Sequence, residues 1–389
     1  MKWLYRLVLS VLAVMLCLAV AVACVSQPQA STPEIEYGSF QAYLEQSRQW
    51  VQNHRHFQTR NREDELTWNT PFETRLTAPT QKAILLVHGL GDSPSSFADV
   101  AGDLASQGYV VRTVLLSGHG TKPDDLIAVR LEDWQNLVRQ QVALLHQEFQ
   151  NVYLGGFSTG ANLVLEYAMN DPQIRGLLLF SPAIRSSVPV DWASPWLARV
   201  KTWVLPPNDS RPQQSPVRYH NIPTNGFAQF YRSSVAVRQQ IENKHFDRPV
   251  VIVLSEHDSV VDVHYVRELF EHRFTHQASR LIWYGQEASI SGNSKRILVR
   301  SDALPQERIS QFSHMGILFS PKNPLYGRWG TERLCWNGQT EQDMRRCQSG
   351  EPVWFSDWGY REVNKVHARL TFNPYFDWQS HVIHEVLGI

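Results

Sequence analysis

The sequence predicts an α/β fold in which a mostly parallel β-sheet carries helices on both faces. Short runs that are apolar throughout occur at residues 83–87 (AILLV), 176–180 (GLLLF) and 249–254 (PVVIVL), and segments with helical spacing, such as residues 131–146, lie between them. Runs of this kind are typical of strands that are buried on both faces, and their alternation with helices indicates a parallel sheet.

The alternation begins near Lys82 and continues towards the C-terminus. The predicted strands are residues 83–87, 109–116, 151–154, 176–180, 249–254 and 281–284, and we expect the last of these to complete the series. The predicted helices are residues 40–51, 97–105, 131–146, 161–169, 263–274 and 378–387. The first of these helices precedes the sheet.

Residues 183–247 interrupt the alternation between two strands and are rich in proline and aromatic residues, including Trp192 and Trp196. Open parallel sheets bind ligands at the carboxyl ends of their strands, so we expect this segment to be a cap inserted over those ends. Most of its aromatic side chains should pack the cap onto the body, and two or three should line a pocket. Residues 65–182 and 248–389 would form the core.

The N-terminal residues 1–24 are typical of an export signal. A short basic region precedes an apolar run at residues 7–22, and the small residues before Cys24 resemble a bacterial lipobox. We therefore expect cleavage before Cys24 and lipidation of its thiol. The lipid would anchor the protein to a membrane of the bacterial cell envelope. Ordinary signal cleavage, giving a secreted or periplasmic protein, and an uncleaved anchor are the alternatives. Residues 25–64 should form a tether and an N-terminal helix.

The four cysteines support export. Cys17 leaves with the signal and Cys24 carries the lipid, so Cys335 and Cys347 remain as a pair on either side of a polar loop. An oxidising compartment favours a disulfide between them, whereas the cytoplasm would leave two free thiols. A metal site is not expected, because no second Cys or His pair has fitting spacing.

Charge and composition exclude several functions. The chain has 37 basic and 37 acidic residues, and no basic stripe that would indicate nucleic acid binding. The Gly-x-Gly at Gly89 and Gly91 lacks the third glycine of a dinucleotide-binding fingerprint. We expect no cofactor, and the sequence leaves the oligomeric state open.

The stretch Gly156-Phe157-Ser158-Thr159-Gly160 lies between a predicted strand and a predicted helix. A serine on such a sharp, strained turn is exposed at the carboxyl edge of a sheet, and small residues two before and two after it let the strand and helix approach each other. Ser158 is therefore the candidate catalytic nucleophile.

A serine nucleophile needs a histidine base, which a carboxylate orients, and in this strand-turn-helix arrangement the acid precedes the histidine along the chain. Asp258 lies in the turn just after the strand at residues 249–254 and is the preferred acid. Glu256 and Asp262 are its competitors.

His314 is the preferred base, because it follows the last strands and precedes the C-terminal helices. The preceding stretch, residues 285–310, is longer than such a loop requires and contains its own strand-like run at residues 296–299. His367 is a weaker candidate, and His381 and His384 should be surface residues on the terminal helix.

Negative charge that develops on a reacting carbonyl oxygen requires backbone N–H donors that are already in place. One should be the N–H of Thr159, at the start of the helix after Ser158. The other should be the N–H of Leu90, in the glycine-containing loop after the first strong strand. We expect His88 in this loop to be structural.

Four stretches together resemble the α/β-hydrolases: Val87-His88-Gly89-Leu90-Gly91, Ser117-Gly118-His119-Gly120-Thr121, the turn at Ser158, and residues 258–261. They resemble most the branch of monoacylglycerol lipases, lysophospholipases and bacterial carboxylesterases that is known as the serine aminopeptidase S33 family. The resemblance covers about residues 65–320. It implies Ser158, Asp258 and His314 as a catalytic triad and Leu90 and Thr159 as oxyanion-hole donors.

The expected function is hydrolysis of carboxylic esters, such as a monoacylglycerol or a lysophospholipid, through an acyl-enzyme on Ser158. A serine aminopeptidase is the first alternative and a non-catalytic envelope protein with a hydrolase fold is the second. An aminopeptidase usually needs carboxylates in the cap to hold the substrate's amine, but residues 183–247 contain eight basic and four acidic residues.

Overall fold

A computed structural model of the protein describes residues 36–76, 78–207, 213–286 and 295–388. The predicted signal, Cys17, Cys24 and most of the predicted tether lie outside the described residues. In the part that is described, no helix has both the length and the apolar character needed to cross a bilayer.

The structure contains the following strands: β1 (Glu73–Thr74), β2 (Lys82–Val87), β3 (Val110–Val114), β4 (Asn151–Phe157), β5 (Leu177–Phe180), β6 (Val250–Ser255), β7 (Arg280–Tyr284), β8 (Ile297–Arg300), β9 (Trp354–Ser356) and β10 (His367–Arg369). The α-helices are α1 (Phe40–His54), α2 (Arg62–Trp68), α3 (Ala98–Ser106), α4 (Leu131–Glu148), α5 (Thr159–Ala168), α6 (Ser194–Leu197), α7 (Thr224–Ile241), α8 (Val263–Arg273), α9 (Glu341–Gln348) and α10 (Phe376–Leu387).

Eight strands form the main sheet in the order β1-β3-β2-β4-β5-β6-β7-β8. All neighbouring pairs are parallel except β1 with β3, which is antiparallel. The α/β fold and the mostly parallel sheet that the sequence predicts are confirmed. Because the strands from β2 to β8 are parallel, their carboxyl ends lie along one edge of the sheet, where the candidate site residues follow β2, β4 and β6.

The buried faces of β2 explain why its sequence is apolar throughout. Ala83, Leu85 and Val87 belong to the hydrophobic core on one face of the sheet, whereas Ile84 and Leu86 belong to the core on the other face. Successive side chains of a strand point to opposite faces, so only an apolar run can bury both.

The prediction that residues 281–284 complete the series of strands is wrong. β8 pairs in parallel with β7 beyond this point, with Leu281 opposite Ile297. The strand-like run at residues 296–299 is therefore part of the main sheet. Only its first residue is buried, as expected for an edge strand, so it lacks the apolar pattern of the central strands.

The segment predicted to be a cap lies between the neighbouring strands β5 and β6 and contains α6 and α7. α7 is attached to the body by polar side chains: Asn225 Nδ2 donates to the carbonyl oxygens of Leu126 and Val129, at 2.9 Å each. Gln229 Oε1 accepts the N–H of Leu131 at 3.0 Å. These contacts fix α7 beside the first turn of α4.

The region after β8 adds a small structural unit of its own. β9 and β10 pair in parallel as a second, two-stranded sheet. A disulfide joins Cys335 to Cys347, the pair that the sequence predicts, and both cysteines are buried with Val353, Val366 and Ala368 in a small hydrophobic cluster.

Candidate active site

Ser158 lies on a strained turn between β4 and α5, with φ 55° and ψ −117°. Positive φ is rare for a residue with a side chain and persists only when the surroundings enforce it. Here the N–H of Ser158 donates to the carbonyl oxygen of Phe180 at 3.0 Å, and its own carbonyl oxygen accepts the N–H of Ala161 at 3.1 Å. β4 continues to Phe157, three residues further than the sequence predicts, so the serine follows the strand directly.

The two glycines that flank the turn leave no room for a side chain. A Cβ atom at Gly160 would lie 2.0 Å from the carbonyl oxygen of Val87, and one at Gly156 would lie 2.5 Å from the backbone nitrogen of Ala161. Both distances are shorter than any tolerable contact. Glycine at these positions therefore lets α5 start close against β2 and β4.

His314 and Asp258 form the predicted pair. His314 Nδ1 lies 2.7 Å from Asp258 Oδ2, and the Asp258 carboxylate is completely buried. Asp258 Oδ1 accepts the backbone N–H groups of Val260 and Val261, at 2.8 and 3.0 Å. Because the carboxylate can only accept, Nδ1 carries the proton and Nε2 keeps its lone pair, which is the tautomer a general base needs.

The loop of His314 lies next to the serine turn. The imidazole centroid is 4.8 Å from the centroid of the Phe157 ring, and Ser181 Oγ donates to the His314 carbonyl oxygen at 3.3 Å. Phe157 precedes Ser158, and Ser181 follows β5, the neighbour of β4. The structure thus brings Ser158, Asp258 and His314 together at the carboxyl edge of the sheet.

The competing acids have other roles. Asp262 caps α8 by accepting the N–H of Tyr265 at 3.0 Å, and it pairs with Arg185 at 2.6 Å. Glu256 accepts the backbone N–H of Gln286 at 2.6 Å.

The competing histidines also have contacts away from Asp258. His367 is buried on β10 with Nδ1 3.1 Å from Ser356 Oγ. On α10, His381 is exposed, whereas the partly buried His384 lies 2.7 Å from Asp103. The expectation that His384 is a surface residue is therefore inaccurate, because it contacts α3.

The loop after β2 lies against the serine turn. A Cβ atom at Gly89 would be 3.2 Å from Ser158 Cβ, which places Leu90, the next residue, beside the nucleophile. Thr159 is the first residue of α5, and the first N–H groups of a helix have no partner within the helix. The backbone N–H groups of Leu90 and Thr159 thus both lie beside Ser158.

Two buried histidines hold this loop. His88 Nε2 accepts the N–H of Leu116 at 3.1 Å while its Nδ1 donates to the Gly89 carbonyl oxygen at 2.9 Å. His119 Nε2 accepts the N–H of Gly91 at 2.9 Å. Burial lowers the pKa of His88 to about 4 and that of His119 to about 3, so both rings are neutral at neutral pH. His88 is structural, as the sequence predicts.

Asp357 is a buried carboxylate beside the pair that sequence reasoning missed. Its Oδ2 accepts the N–H of Ser259 at 2.8 Å, and its Oδ1 accepts the N–H of His314 at 3.3 Å. Burial raises the pKa of Asp357, and the nearby Asp258 raises it further, whereas Arg369 lowers it. No motif surrounds Asp357, so the only signal in the sequence is an acidic residue within an otherwise apolar and aromatic stretch (VWFSDWG).

The parallel sheet, the strained turn at Ser158 and the His314–Asp258 pair define an α/β-hydrolase. The chain belongs to the family described as serine aminopeptidase, S33, whose model matches residues 78–286, more than half of the 389 residues. A second family model, platelet-activating factor acetylhydrolase, isoform II, matches residues 26–119.

Among characterised proteins, the chain is similar to the thermostable monoacylglycerol lipase of Bacillus sp. (strain H-257), with 34% identity over 101 residues. The match covers 26% of this chain and 40% of the relative, so the chain spans about two fifths of that protein's length.

Three solved structures of lipolytic enzymes are among those that resemble the chain. A structure from work on the metagenome-derived enzymes LipS and LipT has 22% identity and a TM-score of 0.48, covering 55% of this chain and 86% of that one. A soluble variant of the Saccharomyces cerevisiae monoglyceride lipase, in complex with a substrate analog, has 17% identity and a TM-score of 0.44, covering 55% and 81%. The Paleococcus ferrophilus monoacylglycerol lipase has 18% identity and a TM-score of 0.44, covering 55% and 88%.

Proposed function

We propose that the protein is a serine hydrolase that cleaves carboxylic esters through an acyl-enzyme on Ser158. The observation that carries the proposal is the 2.7 Å contact between His314 Nδ1 and Asp258 Oδ2 beside a serine on a strained strand-to-helix turn. The family membership and the similarity to a monoacylglycerol lipase support it.

In the proposed reaction, Ser158 Oγ attacks the ester carbonyl carbon while His314 Nε2 takes the hydroxyl proton. Asp258 holds the imidazole in the required tautomer and stabilises the imidazolium that forms. The N–H groups of Leu90 and Thr159 bind the oxyanion of the tetrahedral intermediate. His314 then gives its proton to the leaving alcohol, and a water molecule, activated by the same imidazole, releases the acid and regenerates Ser158.

The substrate we propose is a lipid ester, and the exposed surface of the segment between β5 and β6 supports this choice. The large apolar side chains exposed there are Val188, Val190, Trp192, Trp196, Val200, Val204, Leu205 and Phe227. Trp196 is 61% exposed, with the Arg199 guanidinium 4.8 Å from its ring centroid. Exposed apolar side chains in this number, with a basic side chain beside one of them, suit an acyl chain or a lipid surface.

The charge of this segment separates the two enzymatic alternatives. Residues 183–247 contain eight basic and four acidic residues, a net charge of +4. Such a surface attracts an anionic headgroup and repels the ammonium group of a peptide N-terminus. We therefore prefer a monoacylglycerol or a lysophospholipid to an aminopeptidase substrate.

Export to the cell envelope, with a lipid anchor on Cys24, is also part of the proposal. The predicted signal in residues 1–24 supports it, and so does the disulfide between Cys335 and Cys347, because disulfides persist in oxidising compartments. Cys24→Ser should move the protein from the membrane fraction to the soluble fraction, whereas unchanged fractionation would contradict the anchor.

Ser158→Ala tests the chemistry. It should abolish labelling by a fluorophosphonate probe and should lower kcat on a short nitrophenyl ester by about 10⁵-fold or more. Ser106→Ala, at the end of α3, is the matched control and should behave as the wild type. A panel of nitrophenyl esters, a monoacylglycerol, a lysophospholipid and amino-acid anilides then identifies the substrate class. Labelling of Ser158→Ala would refute the nucleophile, and turnover of anilides alone would favour the aminopeptidase.

A further inference from the structure

We propose that Asp357 is a positioning residue for the His314–Asp258 pair. Through Asp357, the disulfide-containing region after β8 holds the acid and the base at the separation that catalysis needs. This inference rests on the proposed function, since it concerns the residues that carry out the proposed chemistry. Asp357 lies beyond the family match at residues 78–286, as His314 also does.

A single carboxylate joins the two loops that carry the acid and the base. Asp357 Oδ2 accepts the N–H of Ser259, the residue after Asp258, at 2.8 Å. Asp357 Oδ1 accepts the N–H of His314 itself, at 3.3 Å. The loop that carries Asp258 and the loop that carries His314 come from distant parts of the chain. Asp357 therefore fixes the separation of Asp258 and His314 independently of their own hydrogen bond.

Asp357 makes these contacts from a buried position, which raises its pKa, and Arg369 is the cation that lowers it. Both of its oxygens accept backbone N–H groups, as a carboxylate can. Arg369 compensates the charge: burial lowers the pKa of the guanidinium to about 10, while Asp357 and Asp258 raise it. Two buried carboxylates close together would be costly without such a cation.

The other charged groups near His314 complete this environment. Arg218 contacts the residue after His314, with its Nη1 2.8 Å from the sulfur of Met315. His257, which pairs with Asp302, precedes Asp258, and the pKa of His257 is raised mainly by the hydrogen bond to Asp302 and also by the charge of Asp357. Asp357 is thus a second buried acid beside the His314–Asp258 pair.

The region around the disulfide holds Asp357 in place. Asn337 Nδ2 donates to the Asp357 carbonyl oxygen at 3.1 Å, and Asn337 Oδ1 accepts Arg369 Nε at 2.7 Å. Asn337 is two residues after Cys335 and is completely buried. The same asparagine thus fixes both the backbone of Asp357 and the cation that compensates its charge.

The consequence for the reaction is geometric. Misplacement of a catalytic group by about 1 Å can cost about 100-fold in rate, so a brace between the acid and base loops should act on kcat. The hydrogen bonds that Asp357 accepts come from Ser259 and His314 and not from Ser158, so KM should hardly change.

Asp357→Asn in the full-length protein tests the proposal, with a nitrophenyl ester as substrate. The amide keeps the size but loses the charge and one of the two acceptors. We expect kcat to fall by about 10- to 100-fold with KM within about twofold. A fall in kcat at nearly constant KM is the mark of a displaced catalytic group, as opposed to a lost binding contact.

Asp99→Asn is the matched control. Asp99, on α3, also accepts a backbone N–H, that of Ser320 at 2.7 Å, but its hydrogen bonds reach the chain six and nine residues after His314, at Ser320 and Asn323. This variant should keep both kcat and KM. Asp357→Glu keeps both acceptor oxygens on a longer side chain, so it should lower kcat and leave KM within about twofold.

The outcomes separate the two proposals. If the wild type cleaves no ester, the proposed function fails. If the wild type is active, Ser158→Ala is inactive and Asp357→Asn matches Asp99→Asn in kcat and KM, the role of Asp357 is refuted and the proposed function stands. If Asp357→Asn does not fold, Asp357→Glu decides: wild-type kcat in that variant would overturn the proposal.

Discussion

Gly160→Ala offers the sharpest test of how the sequence builds the serine turn. The new Cβ atom would lie 2.0 Å from the Val87 carbonyl oxygen and 2.5 Å from that of His88, both of them backbone atoms that cannot rotate away. β2 and the start of α5 must separate by about 1 Å or more to relieve the overlap, since carbon atoms pack at about 3.5–4.0 Å.

The expected magnitude follows from two opposing terms. Overpacking of a well-packed site costs about 1–3 kcal/mol, and a clash with backbone atoms falls at the upper end of that range. Alanine is favoured over glycine inside a helix by about 1 kcal/mol. We therefore expect the free energy of unfolding to fall by about 2 kcal/mol. The displaced α5 would also carry the Thr159 N–H away from Ser158, which should lower kcat by about 100-fold.

Gly102→Ala provides the matched control, because Gly102 lies within α3 and a Cβ atom there would have no atom within 4 Å. This substitution should raise the free energy of unfolding by up to about 1 kcal/mol and leave kcat unchanged. Urea denaturation and nitrophenyl ester hydrolysis measure both variants. If Gly160→Ala is as stable and as active as Gly102→Ala, the packing of α5 against β2 does not require glycine and the reasoning is wrong.

Two other predictions concern stability. Burial lowers the pKa values of His88 and His119, so the folded protein keeps both rings neutral. Their contribution to the free energy of unfolding is complete above the unfolded pKa of about 6.5. It is lost as the pH falls towards 4, by about 1.4 kcal/mol per pH unit for each ring. Urea midpoints measured from pH 7.5 to 5 should fall accordingly, and His119→Gln should reduce the slope; an unchanged slope would mean that the ring is not buried as a neutral group. The Cys335–Cys347 disulfide closes a short loop, with a sequence separation of 12, so Cys335→Ser with Cys347→Ser should cost about 3 kcal/mol. Identical urea midpoints with and without reductant in the wild type would contradict this.

The sequence predicted the centre of the sheet and the Ser158 turn well, because both depend on local patterns. Residues 83–87 and 249–254 are apolar throughout since both faces of their strands are covered, and the turn requires glycine at fixed offsets from Ser158. Both requirements leave a recognisable local pattern in the sequence, although the contacts that impose them, such as that of Gly160 with Val87, come from distant residues.

The contacts made by the last part of the chain could not be predicted in this way. β8 joins the sheet at its edge with only Ile297 buried, so its residues lack the pattern of a central strand. Asp357 acquires its place only through contacts with Ser259 and His314, 98 and 43 residues away. From the sequence alone, a single acidic residue predicts a solvent-exposed charge, because its hydrogen-bond partners in other parts of the fold are not known.

A similar limit applies to Arg55 in the loop after α1. Its guanidinium pairs with the fully buried Glu65 at 2.9 Å and donates to the carbonyl oxygens of Gly120 and Pro216, at 2.8 and 2.6 Å. The three partners come from three different segments, and charge spacing in the sequence does not indicate such a junction.

The position of His314, Asp357 and Arg369 late in the chain has a consequence for biosynthesis. The strands that carry Ser158 and Asp258 leave the ribosome first, and domains generally begin to fold from the N-terminal side during synthesis. A nascent chain can thus assemble β2 to β7 before its base exists, and before the residues around the disulfide can fix that base. The candidate site is completed only when the C-terminal residues dock.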